Sequence, residues 1–379
     1  MSIFQFDHVI DRSLTNSIRW DKYGPGVIPL WVADMDFQPP EAVIQALKNR
    51  VEHGIFGYTY ASPKLKEVIV DYVQRMYHWK IQPEWISFLP SVVTGLHLSV
   101  RMLTDVGDHL LIPHPAYHHF KDAALGAQRD FSAYDMHLRN GRYTFDISQL
   151  ESLVRPQTKL IMLCNPHNPG GCVFTKPELE TIAQFAKKHQ LLICSDEIHA
   201  DLILDEGIVH HPIGSIGQGV EQFSFSLMSL NKAYNFPGMG MSWLICPHPE
   251  IQKKIMKDVH TLIPNPNLFA YDVTQAAMEH GQEWHSALIQ YLRQNRDQVY
   301  QRINAIPGLS MAHLQATYLA WIDCSAMGWP DPYEEFLKAG VALSPGAQFG
   351  DQQFVRLNFG TSSKILDQAL DRIEKACRQ

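Results

Sequence analysis

Three polar residues each stand a few positions past a short apolar run. Asn168 lies in NPHNPGG (165 to 171) after KLIMLC, Asp196 in SDEIHAD (195 to 201) after LLIC, and Lys232 in SLNKAYNFPG (229 to 238) after FSFSLM. Singly, each has a plain explanation. An Asn-Pro pair makes turns, an aspartate after a strand caps helices, and a lone lysine stays in solvent. Turn chemistry does not readily produce all three in this order after three buried strands. The carboxyl ends of parallel strands open onto one cleft, and that cleft would receive all three side chains.

Together these groups suit an electron sink built on a pyridine ring. A lysine beside a desolvated, phosphate-bearing group has its ammonium form disfavoured and becomes an amine that can condense with an aldehyde. A carboxylate facing the ring nitrogen keeps it protonated, so the ring can take electrons from a substrate carbanion. An amide can donate to a phenolate oxygen on the same ring. Lys232, Asp196 and Asn168 would then be covalent anchor and proton carrier, electronic tuner, and oxygen ligand.

The elements that must position them alternate. Apolar runs at 85 to 89, 109 to 113, 159 to 164, 191 to 194, 223 to 228 and 243 to 246 read as buried strands. Helical periodicity fills the gaps, most clearly in TKPELETIAQFAKKHQ. There Thr175 and Glu178 spell a capping box, Pro177 sits in the first turn, and Leu179, Ile182, Ala183 and Ala186 form one stripe. This pattern predicts an α/β fold with a mostly parallel sheet covered by helices on both faces.

Further along, the pattern changes. A long helical stretch from about 265 to 305 precedes the strand-like TYLAWID (317 to 323), a helix near 332 to 339, VAL (341 to 343), FVRLNF (354 to 359) and a last amphipathic helix. A second, smaller α+β domain is expected there. The first 40 residues, rich in Trp, Asp and Pro, lack periodicity and should wrap across another surface. The expected division is an N-terminal segment over 1–45 joining the small domain, a large domain over 46–280 and the small domain over 281–379. No internal repeat or low-complexity segment interrupts it.

Composition narrows the function. With 379 residues, 45% of them hydrophobic, the chain can bury a full core. A net charge of −7 with scattered Lys and Arg argues against nucleic acid. The start MSIFQFDHVIDRS has acidic residues where a signal peptide needs basic ones, and no apolar run approaches the roughly 18 residues of a membrane span. A cytoplasmic protein with no membrane partner is expected. Six cysteines without a CxxC pair read as reduced core residues. A dinucleotide fingerprint fails, since Gly238-Met-Gly240 has Trp243 where the third glycine belongs. Among 19 histidines, His114, His118 and His119, or His210 and His211, could suggest a metal site. Without HExxH or a second ligand cluster, no metal is expected.

As a set, NPHNPGG, SDEIH and SLNKAYNFPG resemble the fold-type I pyridoxal 5′-phosphate enzymes, and more narrowly the MalY/PatB-type cystathionine β-lyases within the class I and II aminotransferase superfamily. VIDRSLTNSIRWD, WVADMDF, HGIFGYTY, PHPAYHHF, TYLAWID and FVRLNFG extend the likeness over nearly the whole chain. It implies a three-layer αβα large domain around a mostly parallel seven-stranded sheet, plus the smaller α+β domain. It also implies pyridoxal 5′-phosphate as cofactor and an amino acid as substrate.

The resemblance further implies that Tyr117 stacks on the cofactor ring. Ser91, Val92 and Val93 would hold its phosphate with backbone amides at a helix start, helped by the Ser229 hydroxyl. His199 stands near the cofactor oxygen, where many aminotransferases have tyrosine. Tyr58 resembles a tyrosine lent by a neighbouring subunit, which requires a homodimer with a shared active site. Arg356 would clamp the substrate carboxylate. Strand alternation puts it with Phe354 and Asn358 on one face and Val355, Leu357 and Phe359 on the core face, leaving it free to reach the cleft. Asp34 and Met35 belong at the same mouth.

Two positions depart from the wider pattern. Asn231 replaces a common serine, and Gly240 stands where many aminotransferases have a phosphate-binding arginine; the lyases of this subgroup also lack that arginine. The expected activity is a carbon-sulfur β-lyase acting on cystathionine or related cysteine S-conjugates. The alternatives are an aminotransferase, or a regulatory binding protein that keeps the cofactor, since the subgroup includes a member that restrains a transcription activator. The accepted side chain would be read by a pocket near Tyr60, Tyr117, His119 and Ser344.

Overall fold

The computed structural model describes residues 4–259 and 261–378, so the first three residues of the expected N-terminal segment and the last of the small domain lie outside it. Seven strands form the main sheet: β1 (Ile86–Leu89), β2 (His109–His114), β3 (Asp130–Asp135), β4 (Thr158–Cys164), β5 (Leu192–Asp196), β6 (Ser224–Met228) and β7 (Ser242–Ile245). Their order is β1-β7-β6-β5-β4-β2-β3. Only β7 runs against the rest, pairing antiparallel with both β1 and β6. Every residue of β6 and all but Lys159 of β4 are buried, which matches their position inside the sheet, covered on both faces.

The apolar runs place six of these strands to within two residues. The seventh, β3 (DFSAYD), carries aspartate at both ends and is only half-buried, as an edge strand can be. Helix α1 (Val92–Leu103) follows β1, α2 (His119–Gly126) follows β2, and α3 (Lys176–Lys188) lies between β4 and β5. Both halves of the α3 capping box form: Thr175 accepts from the Glu178 N–H, and Glu178 accepts from the Thr175 N–H. Such a cap contributes about 1 kcal/mol.

The predicted helix over 265 to 305 is two helices, α4 (Leu268–His280) and α5 (Gln282–Asn304), meeting at Gly281. A Cβ there would sit 2.6 Å from the Ala277 carbonyl oxygen and 2.6 Å from the Tyr234 ring. Glycine lets the lysine-bearing loop press against this junction. Beyond it, four antiparallel strands order as Ser310–Met311, Leu319–Asp323, Phe354–Asn358 and Ser344–Pro345, covered by the last helix Ser363–Ala376, whose Leu366, Leu370 and Ile373 are buried.

The N-terminal segment does wrap. Ile28–Pro29 pairs in parallel with Val341–Ala342, the Leu30 N–H donates to Ala342, and the Asn358 N–H donates to Leu30. The strand carrying Arg356 is thus tied to residues more than 300 positions earlier. Among the described residues no helix is long and apolar enough to cross a membrane, and the six cysteines are free, five of them buried.

Candidate active site

Strands β4, β5 and β6 are neighbours in the sheet, so their carboxyl ends set Asn168, Asp196 and Lys232 side by side. The turn after β4 is held by its own amides: Asn165 donates its N–H to the Asp196 carbonyl and accepts from Phe174 at 2.9 Å. Gly171, at φ +66°, leaves no room for a side chain, because a Cβ would lie 2.3 Å from Leu314. Asn168 is buried, and its Oδ1 accepts from Arg356 Nη1 at 3.0 Å. Its Nδ2 makes no hydrogen bond among the described residues.

Asp196 is 5% exposed, and the one donor to its carboxylate among the described residues is the Ile198 N–H at 3.1 Å. Burial pushes its carboxyl up to about 7, with Ile198 and Lys232 opposing and Glu197 adding to the rise. Lys232 donates to the Ala33 carbonyl at 2.7 Å. Burial pushes its ammonium down to about 8, helped by the Arg356 cation and opposed by Asp34 and Asp196. His199 is buried with Nδ1 unpartnered. Burial, then Lys232 and Arg356, depress it to about 3, so its imidazole is neutral.

Arg356 corrects one expectation. It does not lie on an open strand face: it is 5% exposed, and Val355, Leu357 and Asn358 are buried with it. The reason is the N-terminal segment, which roofs this face. Arg356 Nη2 donates to the Trp31 carbonyl at 3.2 Å and to Ser344 Oγ at 3.3 Å, and the guanidinium lies 4.5 Å from the Phe349 ring centroid. Burial lowers its pKa to about 10, so it stays cationic at neutral pH. Among the described residues it has no carboxylate partner, and Nε has no hydrogen bond. Buried charges are ordinarily paired, so this cation is built for an anionic ligand.

Asp34 and Met35 follow the Ala33 carbonyl that accepts from Lys232, and their polar groups are engaged by neighbouring side chains. Asp34 pairs with Arg12 at 2.7 Å and with the fully buried Arg19 at 3.4 Å. Met35 donates its N–H to Asn235 Oδ1, and Asn235 Nδ2 donates to Met35 and Phe37. A cavity of about 400 Å³ opens between Arg12, Asp34, Met35 and Asn235, and Asn168, Asp196, Lys232 and Arg356 do not line it.

At the other end, Ser91 caps α1 by accepting from the Thr94 N–H at 3.0 Å. The first-turn N–H groups of Val92 and Val93 have no carbonyl one turn back to reach, which suits an anion. Gly240, at φ +63°, packs against this turn, with a Cβ position 3.4 Å from the Pro90 carbonyl oxygen. Ser229 is committed to its own loop: its hydroxyl donates to Met241 at 2.6 Å and accepts from the Asn231 N–H. Asn231 Oδ1 is buried and unpartnered. Tyr117 is half-buried, within the fields of Arg356 and Asp196. Tyr58 is not brought to the site by this chain; it is fully exposed, beside exposed Ile55, Phe56 and Tyr60.

A pyridine phosphate fits these groups. The buried carboxyl, the lysine, the free amide protons of Asn168 and the helix start correspond to the ring nitrogen, aldehyde, phenolate and phosphate of one ligand. Sequence reasoning missed the residues that aim the lysine and hold the roof: Tyr318, which donates to the same Ala33 carbonyl at 3.0 Å, Asn235, and the pair Arg12 and Arg19. The opposite charges of VIDRSLTNSIRWD and WVADMDF were the available signal.

The chain matches the family described as aminotransferase class I and II over residues 25–373. It belongs to that family. Among the family's curated members it is 35% identical to "Cystathionine beta-lyase PatB" of Bacillus subtilis (strain 168), over 98% of this chain and 99% of that one. Among solved structures it resembles "Crystal Structure of OvoB", with a TM-score of 0.96 and 41% identity, covering 98% of this chain and 99% of that one. Cystalysin from Treponema denticola, described as containing a pyridoxal 5′-phosphate cofactor, superposes with a TM-score of 0.94 at 30% identity, covering 99% of each chain. The fold-type I architecture, with its mostly parallel seven-stranded sheet, is the family's own. Gly238 lies in, and Gly240 directly after, a short 3₁₀ turn that leads into β7 rather than into a helix.

Proposed function

We propose that this chain is a pyridoxal 5′-phosphate-dependent carbon-sulfur β-lyase that cleaves cystathionine or related cysteine S-conjugates to a thiol, pyruvate and ammonia. The observation that carries the reading is a buried lysine with a lowered pKa, flanked by a buried carboxyl and an arginine without a counter-ion. The likeness to PatB and cystalysin supports it. When bound, the cofactor supplies an aldehyde for the lysine amine and a protonated ring that draws electrons from the substrate's α-carbon.

The chain's residues do the rest. Arg356 binds the substrate carboxylate with charge-assisted hydrogen bonds from the donors that Asn168, Trp31 and Ser344 leave free. Asp196 would face the ring nitrogen and keep it protonated, and Asn168, its Oδ1 anchored by Arg356, would donate to the ring oxygen. Lys232 Nζ takes the α-proton, its direction set by the Ala33 carbonyl. His199, neutral and close to Lys232 and Arg356, adds no competing charge. Val92 and Val93 would offer amides to the phosphate, and Tyr117 would cover the ring.

The exposed Tyr58 and its apolar neighbours support a homodimer in which each subunit completes the other's site. Free, buried cysteines accord with a cytoplasmic setting.

The test is an assay of the cofactor-loaded protein with cystathionine, and separately with an amino acid plus a 2-oxo acid. Pyruvate and thiol should appear without any added 2-oxo acid. Amino-group exchange that needs a 2-oxo acid and yields no pyruvate would overturn the lyase reading in favour of an aminotransferase.

A further inference from the structure

Three side chains that take no part in the chemistry of Lys232 meet at the first turn of α2. His118 is the residue before the helix, and its carbonyl accepts from the Asp122 N–H at 2.9 Å, so Asp122 neighbours His118 four positions back and His119 three positions back. One ligand atom from each lies within 4.8 Å of the others. His119 Nδ1 is 3.6 Å from Asp122 Oδ2, and the two imidazole centroids are 4.4 Å apart. Both histidines bury their Nδ1 atoms without a hydrogen-bond partner. A buried, unsatisfied ring nitrogen costs about 1–3 kcal/mol, and two side by side call for a ligand that would satisfy both.

The donor set specifies the ligand class. Two imidazoles and a carboxylate are the protein ligands of open zinc sites, which keep a fourth position for water or substrate. A tetrahedral ion with bonds of about 2.0–2.1 Å needs donors roughly 3.4 Å apart, so the group must draw in by roughly 1 to 1.5 Å. Rotation about the side-chain bonds of His119 and Asp122 covers that distance, since both are partly exposed. The other histidines raised by the sequence do not assemble this way: His114 pairs with Asp135, and His210 with Glu197 inside the core.

We infer that His118, His119 and Asp122 form a three-ligand site for a late first-row divalent cation such as Zn²⁺, with one position open to water or a thiolate. Tyr117 packs edge-on against both imidazoles, with centroids 4.6 and 4.9 Å away, so the ion would sit next to the residue expected to cover the cofactor ring.

The experiment uses the cofactor-loaded protein, stripped of metal by chelator and dialysed. Co²⁺ is followed by its visible ligand-field bands, and Zn²⁺ by calorimetry. One ion per chain should bind saturably, with the band intensity of a four-coordinate site. His119→Ala and Asp122→Asn should each weaken binding at least tenfold, while His313→Ala, which removes another histidine paired with a carboxylate, leaves it unchanged. Circular dichroism and the cofactor's absorption confirm folding. Asp122 is 44% exposed at its side chain, so its substitution keeps the test readable if His119→Ala fails to fold. No uptake, or uptake that neither variant weakens, overturns the site.

Discussion

The cleft has two walls made by different means. One is the carboxyl edge of the parallel sheet, where β4, β5 and β6 present Asn168, Asp196 and Lys232 from adjacent strands. The other is a roof of N-terminal chain, residues 30 to 36, lying over the strand Phe354–Asn358. The sheet wall bears few hydrogen bonds at its ionisable groups, and burial shifts their pKa values strongly. The roof is the reverse: Arg12 and Arg19 grip Asp34 and Asp36 in four ion pairs, and Trp20 adds a hydrogen bond to Asp36. Reactivity sits where solvation is withheld and partners are few. Position is set where partners are many.

The first way to break this division is at the reactive wall. On the proposed function, Lys232→Ala should lower β-elimination by about 10,000-fold or more, because it would remove both the covalent anchor and the α-proton acceptor. Its melting temperature should stay close to that of the parent cofactor-free protein, since the lysine makes one hydrogen bond. A variant that keeps a tenth of the activity would remove Lys232 from the mechanism.

The roof should show the opposite signature. Arg19 is fully buried, faces Asp34 and Asp36, and donates to the Pro29 and Asp34 carbonyls at 2.8 Å. Arg19→Ala strands the nearly buried Asp36 with one cation fewer, and breaking such a pair costs about 3–5 kcal/mol. Denaturant unfolding should record that loss. Arg12→Ala should cost less, because Arg12 is about a quarter exposed at its side chain. Equal losses from both would show that burial does not set the roof's strength.

Arg356 belongs to both walls, so its variant sharpens the comparison. Arg356→Lys retains a charge but cannot bond Asn168, Trp31 and Ser344 while also clamping a carboxylate. The loss of a charge-assisted bond is worth about 1.5–3 kcal/mol, a rise in KM of roughly 10- to 150-fold. A change confined to kcat would move Arg356 from substrate clamp to chemistry.

The two walls also differ in how far the sequence shows them. The sheet wall follows local rules: apolar runs mark the strands, and the chemical residues stand directly after them. Strand β3 escapes because its DFSAYD is half polar, and the break at Gly281 escapes because helical periodicity continues on both sides of it. What fixes that break is the Tyr234 ring, 47 positions away in the chain. The roof is made almost wholly of such distant contacts. Arg12 meets Asp34 and Asp36 across more than 20 positions, and Arg356 meets Trp31 across 325. Alternation in FVRLNF gives the correct side for Arg356, but nothing nearby in the chain says that another segment covers it.

The smallest expected effect tests whether the walls communicate. The Lys232 pKa is drawn down from 10.5 to about 8, so at pH 7 about a tenth of the amine is neutral, against about 0.03% for an unperturbed lysine. Only the neutral amine attacks an aldehyde. Uptake of pyridoxal 5′-phosphate by the cofactor-free protein should therefore quicken nearly tenfold per pH unit below 7.5 and level off above about 8.5. Arg356 disfavours the ammonium and Asp34 favours it. Arg356→Gln should thus move the midpoint up and Asp34→Asn should move it down, each by less than burial does. A midpoint near 10 in the parent protein would remove the desolvated amine on which the reactive wall depends. Midpoints identical in all three proteins would show that the roof positions Lys232 without tuning it.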